Sequence, residues 1–244
     1  TIPQLSGDQT RRAYVYVPQS YGEDPERRYP VMYFFDGQNI FFDDDAAFGT
    51  SWGMEGYMLE SERELILVAI ECNREGSGRL EEYSPFTFEN SELGRIKGRG
   101  KQYIHWLIKE LKPYIDETYR TLPDRENTMI AGSSMGGLMA LYAATTFNSV
   151  FQRAACLSPS LWVAPGKILE LIARAHIRRD TCIYLDYGAK EMFNHAANAE
   201  ALFSTAHLLM TKRVNLTFRI VPDGTHCEAS WANQVPIFME CLDV

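Results

Sequence analysis

The chain contains the stretch Met129-Ile130-Ala131-Gly132-Ser133-Ser134-Met135-Gly136-Gly137. It begins as a short apolar strand, turns sharply through small residues, and continues as a helical run from Leu138 to about Phe147. Gly132, Ser134 and Gly136 match the pattern G-x-S-x-G of a nucleophile elbow, in which a serine occupies a strained strand-to-helix turn. Glycines flank the serine because a Cβ atom would clash there. The stretch predicts that Ser134 Oγ stands above the carboxyl end of a sheet, beside a helix N-terminus.

A second interpretation of the same residues is a glycine-rich turn in an ordinary α/β protein, since such short patterns recur by chance. The strand before the motif and the small-residue helix after it form the context that a nucleophile elbow requires. This context favours Ser134 as a nucleophile, and Ser133 is not the nucleophile in this register.

The composition indicates one domain that spans residues 1–244. A chain of 244 residues, 45% of them hydrophobic and 23% charged, is ample for one α/β domain and short for two. The formal net charge of −8 argues against nucleic acid or an anionic membrane as a partner. No apolar run approaches the roughly 20 residues that a membrane-spanning helix needs.

The cysteines favour a reducing compartment. The five cysteines are scattered, and they lack the C-x-x-C spacing of a metal site. We therefore expect reduced thiols in a cytoplasmic protein that binds no metal, and no signal peptide is recognisable at the start of the sequence. The run Asp43-Asp44-Asp45 is interpreted as a solvated acidic turn rather than a cation site, because charge runs are usually solvated.

Predicted strands and helices alternate along most of the sequence. An antiparallel strand is expected at 11–18, and apolar runs predict strands at 30–35, 65–70, 151–157, 181–185 and 214–221. Helical spacing predicts helices at 54–61, 102–119, 166–175, 194–211 and 228–242, with a long charged loop at 71–100. This order predicts the α/β class, with a mostly parallel central sheet and helices on both faces.

The unusual polar residues fall where predicted strands end. They lie at 36–39, at Ser134, at 158–162, at 186–191 and at His226. In sheets of this kind ligands bind beyond the carboxyl ends of the strands. A random scatter of polar residues would not produce this placement, so we expect an active site at this edge.

A serine hydroxyl needs a base, and a histidine base needs a carboxylate that holds its tautomer. Among the five histidines, only His226 follows a late strand in a glycine-containing loop, as the order Ser, Asp/Glu, His of α/β-hydrolases requires. Glu191 and Asp186 are both candidates for the acid, because both follow the strand that ends at Leu185. Glu191 is favoured for its longer reach. Asp223 is a third choice that is expected to close the turn before His226.

The developing oxyanion needs two backbone N–H donors. One is expected from Met135, the residue after the nucleophile. The other is expected from the loop after the strand that ends near Phe35, where Gly37 lets the backbone approach closely. Gln38 N–H is therefore the second predicted donor.

Several segments together resemble the esterase D-like family of the α/β-hydrolases, also described as the putative esterase family. The resemblance covers about 11–242. Its most specific pieces are 33–41, 79–86, 132–137, 158–162, 185–191 and 224–226, with Glu228 and Trp231.

The resemblance implies an α/β-hydrolase fold, and the short chain leaves no large lid domain. It implies hydrolysis of carboxylic esters by a serine triad without a metal or an organic cofactor. By motif match it supports Ser134 as nucleophile, His226 as base and Glu191 as acid, with Gln38 and Met135 as oxyanion donors. Proteins of this kind act on acyl esters of alcohols and sugars, feruloyl and acetyl esters, siderophore lactones and S-formylglutathione. Mycolyl transferases share the fold.

The leading hypothesis is a serine esterase whose partner is a small-molecule ester with a small to medium acyl group, acetyl, short-chain or aryl. In it Trp52 and Trp162 would line an apolar substrate pocket. The alternatives are an acyltransferase that uses the same acyl-enzyme, or a thioesterase such as S-formylglutathione hydrolase. A non-catalytic scaffold is a further reading, and the intact Ser, acid and His set argues against it. Edge strands or the last helix could pair chains into a homo-oligomer, which the sequence does not decide.

Overall fold

The structure is a computed structural model that describes residues 2–3, 10–191 and 195–244. Within these ranges the strands are β1 (Ile2–Pro3), β2 (Thr10–Arg11), β3 (Ala13–Tyr16), β4 (Val31–Phe34), β5 (Ile66–Ile70), β6 (Phe88–Asn90), β7 (Gly94–Ile96), β8 (Thr128–Ser133), β9 (Arg153–Leu157), β10 (Cys182–Gly188) and β11 (Asn215–Val221). The helices are α1 (Met54–Ser61), α2 (Gly78–Glu82), α3 (Gly100–Trp106), α4 (Lys112–Thr118), α5 (Met135–Thr146), α6 (Pro165–Arg174), α7 (His195–Thr211), α8 (Glu228–Ala232) and α9 (Val235–Cys241). A π-helical turn, Leu107–Leu111, joins α3 to α4.

Seven of these strands form the central sheet in the order β11-β10-β9-β8-β4-β5-β3. Neighbouring strands run parallel except β3, which pairs with β5 in the antiparallel sense. The predicted mostly parallel sheet is therefore confirmed. Because β4 and β8 to β11 are parallel, their carboxyl ends share one edge, and Gln38, Ser134, Met135, Glu191 and His226 all follow these ends.

The two faces of the sheet carry separate apolar cores because side chains alternate along each strand. In β4, Val31 and Tyr33 belong to the core that holds α3, α5, α6 and α7. Met32 and Phe34 belong to the core that holds α1 and α9. Helices thus cover both faces, as predicted, and no large lid domain is evident in the described parts of the chain. No helix within these ranges is both long and apolar enough to cross a membrane.

Several predicted boundaries differ from those found. The segment 71–100 is not a continuous loop, because it forms α2 and the hairpin of β6 and β7. The strand predicted at 181–185 continues to Gly188, so Asp186 lies within β10 rather than after it. The helix predicted at 228–242 is broken between α8 and α9, and Pro236 is the second residue of α9, where a missing N–H costs no helical hydrogen bond. The helix predicted at 194–211 is found from His195, and Asn194 lies outside the described residues.

A buried ion pair ties the N-terminal strands to α2. Arg11 Nη1 lies 2.6 Å from Glu82 Oε2, and the two side chains are 1% and 0% exposed. The Arg11 guanidinium also lies over the rings of Tyr103 and Trp106. Since α2 also carries Arg79, which contacts the candidate site, this pair helps to hold a wall of that site.

We predict that Glu82→Ala lowers the free energy of unfolding by about 3–5 kcal/mol, because the variant leaves the Arg11 charge buried without its carboxylate. Urea denaturation at pH 7 measures the loss. The exposed pair of Arg174 and Glu170 is the control, and Glu170→Ala should cost much less. Equal losses in the two variants would contradict the prediction.

Candidate active site

Ser134 occupies the sharp turn between β8 and α5. Its backbone angles are φ 56° and ψ −120°, a strained conformation for a residue with a side chain. A Cβ atom on Gly132 would lie 2.7 Å from the backbone carbon of Gly136, and one on Gly136 would lie 2.9 Å from Phe35 Cβ. The two glycines of the motif are therefore required by contacts within the turn and with the end of β4.

The structure brings the hydroxyl, imidazole and carboxylate predicted for the site into one hydrogen-bonded chain. Ser134 Oγ lies 2.9 Å from His226 Nε2, and His226 Nδ1 lies 2.8 Å from Glu191 Oε2. The His226 side chain is 37% exposed, whereas Glu191 is almost fully buried at 3%. The imidazole is thus accessible from the solvent side, while its carboxylate partner is shielded from water.

The two other acids considered for the triad make different contacts. Asp186 Oδ1 accepts a hydrogen bond from Ser158 N–H at 2.9 Å, and its Oδ2 accepts one from Tyr184 Oη at 2.9 Å. Asp223 forms an exposed ion pair with Lys190. Of the three candidates, Glu191 is the carboxylate that the structure places against His226.

The Glu191 carboxylate sets the direction of this hydrogen-bonded chain, because a carboxylate has only acceptor oxygens. Trp231 Nε1 lies 3.0 Å from Ser158 Oγ, and an indole N–H can only donate. Ser158 therefore accepts from Trp231 and gives its own proton to Glu191 Oε1, 2.5 Å away, which also accepts from Gly188 N–H at 2.9 Å. Glu191 Oε2 then accepts from His226 Nδ1–H. This leaves His226 Nε2 as the acceptor for the Ser134 hydroxyl, the tautomer that a general base needs.

The loops that carry Glu191 and His226 are packed backbone against backbone. A Cβ atom on Gly188 would lie 2.4 Å from the carbonyl oxygen of Gly224. Lys190 N–H donates to that same oxygen at 2.9 Å. Only glycine at residue 188 allows this approach, which fixes the position of the Glu191 loop relative to the His226 loop.

The turn after β4 is fixed from several directions. Asp36 has a left-handed φ of 54° and forms a two-pronged ion pair with Arg79, at 2.7 and 2.8 Å. Two hydrogen bonds join the Gln38 side chain to Cys72. Cys72 N–H donates to Gln38 Oε1 at 3.1 Å, and Gln38 Nε2 donates to Cys72 Sγ at 3.4 Å. Gly37 packs so closely on β5 that its Cβ would lie 2.4 Å from the backbone carbon of Ala69. The predicted oxyanion donor Gln38 N–H thus lies in a turn that these contacts fix. The other predicted donor, Met135 N–H, belongs to the first residue of α5, where N–H groups lack intrahelical partners.

The same turn is linked to the loop that carries His226. Asn39 Nδ2 donates to Glu228 Oε1 at 3.0 Å, and both residues are buried. Burial raises the pKa of Glu228, and the nearby Asp36 carboxylate raises it further. The bond therefore connects the predicted oxyanion donor Gln38 to the predicted base through their chain neighbours.

A cleft of about 510 Å³ opens beside Ser134 and His226. Its wall carries the charged residues Asp36, Arg74, Arg79 and Glu228 together with apolar surface, which includes the 80% exposed Phe48. A long aliphatic chain would cost the charged groups their hydration, so this wall suits a substrate with both a polar and a compact apolar portion.

The structure corrects one predicted substrate contact. Trp52 is 4% exposed and packs edge-on against Phe34 and Phe238 in the core on the α1 and α9 face, so it is a core residue rather than a wall of the cleft. Sequence reasoning could not separate an aromatic residue of the core from one of a cleft. Trp162 is half-buried, packs edge-on against Phe88 and follows Ser160 by two residues. Its role as a substrate contact stays a prediction.

Several contacting residues were not assigned roles from the sequence. Ser160 Oγ lies 3.2 Å from Ser134 Oγ, and Ser158 donates to Glu191. Trp231 donates to Ser158, and Arg79 pairs with Asp36. Their segments were expected at the edge of the sheet, but the sequence carries no signal for which hydroxyl meets which partner. Two carboxylates of the acidic run 43–45 have protein partners. Asp43 accepts a hydrogen bond from Ser51 in the same loop, and Asp45 forms an ion pair with Arg12.

These features define the α/β-hydrolase fold, with an elbow serine at the carboxyl edge of a mostly parallel sheet. The family model described as putative esterase matches residues 6–237 of the chain. The chain therefore belongs to the putative esterase family, and it is a carboxylic ester hydrolase. Resemblance to this family, expected from the motifs, is confirmed.

Individual relatives are more distant. The chain is 25% identical over 184 residues to YbbA, an uncharacterized protein of Bacillus subtilis strain 168, covering 74% of this chain and 69% of that protein. The fold of the present chain is similar to that of an IroE-like serine hydrolase from Shewanella oneidensis. The TM-score is 0.77 at 18% identity, and the match covers 96% of this chain and 75% of the hydrolase. The fold is also similar to that of a ferulic acid esterase, with a TM-score of 0.68, 19% identity, and coverage of 96% and 94%.

We predict that Gly37→Ala lowers kcat by about 10²–10³-fold with a smaller change in KM, because a Cβ atom there would push the Gln38 donor away from the oxyanion position. Steady-state kinetics on a p-nitrophenyl ester measure both constants. Gly56→Ala is the matched control, since a Cβ atom at this residue of α1 meets nothing within 4 Å. Full activity in Gly37→Ala would contradict the importance of this turn.

A second prediction concerns pH and stability. Burial raises the pKa of Asp186 to about 6 from an ordinary value of 3.8. Since the folded-state pKa lies above the unfolded one, its stabilising contribution is complete below about pH 4 and is lost as the pH rises through 6. Relative to Asp186→Asn, the wild type should lose about 2 kcal/mol of unfolding free energy between pH 4 and 7.

Urea denaturation of both proteins across this range tests the expectation, because other titrating groups cancel in the difference. Asp223→Asn is the control. Its hydrogen bond and ion pair with Lys190 lower the pKa of Asp223, so its stabilising effect is present above about pH 4 and is lost only as the pH falls below that value. The difference between the wild type and Asp223→Asn should therefore stay nearly constant between pH 4 and 7. A pH-independent difference between the wild type and Asp186→Asn would refute the assignment.

Proposed function

We propose that the protein hydrolyses small to medium acyl esters, acetyl, short-chain or aryl, through a Ser134–His226–Glu191 triad and an acyl-enzyme. The single observation that carries the proposal is the chain of contacts from Glu191 through His226 to Ser134, at 2.8 and 2.9 Å. A carboxylate, an imidazole and an elbow hydroxyl in this order perform nucleophilic acyl transfer in unrelated folds.

The first half of the reaction forms the acyl-enzyme. His226 Nε2 takes the proton of Ser134 as Oγ attacks the ester carbonyl carbon, and Glu191 stabilises the imidazolium that forms. The carbonyl oxygen becomes negatively charged and receives hydrogen bonds from Gln38 N–H and Met135 N–H. The C–O bond to the alcohol then breaks, and the alcohol leaves with the proton from His226. Water repeats the sequence on the acyl-enzyme and releases the acid.

The cleft supports a substrate with a polar portion. Charged side chains on its wall, among them Arg74 and Glu228, disfavour a long aliphatic chain, while the exposed Phe48 ring offers a face for an aryl or short apolar group. The similar fold of a ferulic acid esterase is compatible with an aryl ester. The partner is proposed to be this small molecule, since the net charge of −8 disfavours nucleic acid and anionic membranes. A cytoplasmic location belongs to the same proposal, favoured by the scattered cysteines.

We expect Ser134→Ala to lower kcat for p-nitrophenyl acetate by about 10⁴-fold or more, because the variant lacks the nucleophile. A fluorophosphonate probe should label the wild type at Ser134 and leave the variant unlabelled. Ser133→Ala, which removes the neighbouring elbow hydroxyl, is the control and should retain labelling. Full activity in Ser134→Ala would overturn the proposal.

A substrate panel resolves the alternatives. Acetyl, butyryl and feruloyl esters compare acyl groups, and a thioester arm tests the thioesterase reading. Addition of a competing alcohol separates hydrolysis from acyl transfer: a hydrolase gives mainly the free acid, whereas an acyltransferase gives mainly the new ester.

A further inference from the structure

The turn at 158–160, which follows β9, touches both ends of the triad. Ser158 Oγ contacts the carboxylate of Glu191 at 2.5 Å, and Ser160 Oγ contacts the hydroxyl of Ser134 at 3.2 Å. Ser160 is 3% exposed. Within the described part of the chain, Ser134 is the hydrogen-bond partner found for the Ser160 hydroxyl.

The backbone of this turn holds the Ser160 hydroxyl in place. Ser158 has a left-handed φ of 42°, and its N–H donates to Asp186 Oδ1. Ser160 N–H donates to the carbonyl oxygen of Ser134 at 3.0 Å. A Cβ atom on Gly137 would lie 3.2 Å from Pro159 Cα, so the turn packs tightly on the start of α5. The Ser160 hydroxyl is thus carried by a tightly packed turn that is hydrogen-bonded to the Ser134 backbone.

The direction of the contact between the two serines follows from the Glu191 carboxylate, which can only accept from His226 Nδ1–H. His226 Nε2 therefore carries no proton and must accept, so the single proton of the Ser134 hydroxyl points to His226. Ser134 Oγ then has only acceptor capacity left for Ser160. The Ser160 hydroxyl is therefore the donor, and its proton points at the reacting oxygen.

We propose that Ser160 is a further catalytic residue, which donates a hydrogen bond to Ser134 Oγ and acts mainly when that oxygen is expelled from the acyl-enzyme. The inference rests on the proposed function of Ser134 as nucleophile. In this step water attacks the acyl carbonyl carbon and gives a proton to His226 Nε2. The C–Oγ bond of the tetrahedral intermediate then breaks, its electron pair stays on Oγ, the carbonyl re-forms, and Oγ takes the proton back from His226.

The contribution differs between the two halves of the reaction. Before acylation, Ser134 Oγ is a hydroxyl oxygen that already accepts the Ser160 bond, so part of its stabilisation is present in the ground state. In the acyl-enzyme, Oγ is an ester oxygen and a weak acceptor. It gains negative charge only as the C–Oγ bond breaks, and hydrogen bonds to charged acceptors are the stronger ones. An interaction that strengthens in the transition state accelerates that step, so Ser160 should favour deacylation over acylation.

Ser160→Ala tests the inference in the intact protein. Rapid-mixing kinetics with p-nitrophenyl acetate separate acylation, seen as the burst of p-nitrophenol, from deacylation, seen as the steady state and as the decay of acetyl-enzyme by mass spectrometry. We expect deacylation to fall about 10-fold and acylation to change less than about 3-fold, so that acetyl-enzyme accumulates. Ser160→Cys, which keeps a weak donor of similar shape, should recover part of the loss.

The controls separate catalysis from packing. Thr145→Val removes another buried hydroxyl, at the far end of α5, where it donates to Leu141 O, and should leave both rates unchanged. Thermal unfolding of each variant reports stability. Equal decreases in acylation and deacylation, or a deacylation rate equal to that of the wild type, would overturn the role of Ser160. Those results leave the proposed function intact as long as Ser134→Ala is inactive, whereas an active Ser134→Ala would remove the proposed function itself.

Discussion

The Glu191 carboxylate has only acceptor oxygens, and the direction of the hydrogen bonds around it depends on that restriction. Ser158 and His226 Nδ1 must both donate to it, so His226 presents a bare Nε2 to Ser134. In many hydrolase sites the carboxylate alone is credited with holding the tautomer. Here the carboxylate is itself held by the Ser158 hydroxyl, which accepts a hydrogen bond from the Trp231 indole. The imidazole of His226 also packs edge-on against the same indole, at 5.0 Å between ring centroids, so Trp231 contacts both the support of the carboxylate and the imidazole.

Close backbone approaches locate the parts of the site relative to one another. Gly37 lies against β5, Gly136 lies against the end of β4, and Gly188 lies against Gly224. Each contact excludes a Cβ atom, so the loops pack at backbone distance and have little room to slide. Side-chain bonds then fix the remaining freedom, most clearly in the two-pronged pair of Asp36 and Arg79. The geometry of the site is therefore a property of the sheet edge as a whole.

Much of this arrangement could be predicted from the sequence because it depends on local patterns. Apolar runs and glycine spacing located the strands, and the parallel order placed Ser134, Glu191 and His226 at one edge. Contacts between segments far apart in the chain were harder. The choice between Glu191 and Asp186 rested on reach, and the structure adds the reason, since Asp186 lies within β10 and is occupied by Ser158 and Tyr184. Trp52 was misjudged because composition does not reveal whether an aromatic ring faces a core or a cleft. The Ser160 contact had no sequence signal, because it depends on the left-handed turn at Ser158.

The bond between Asn39 and Glu228 joins residues 189 positions apart. One partner follows the first buried strand, and the other begins a helix near the C-terminal end of the sequence. A polypeptide that still lacks the segment with His226 and Glu228 can therefore bury β4 and form the elbow, but it cannot form this bond. Until that segment has been made and has docked, Ser134 lies without the imidazole that the folded structure places against it.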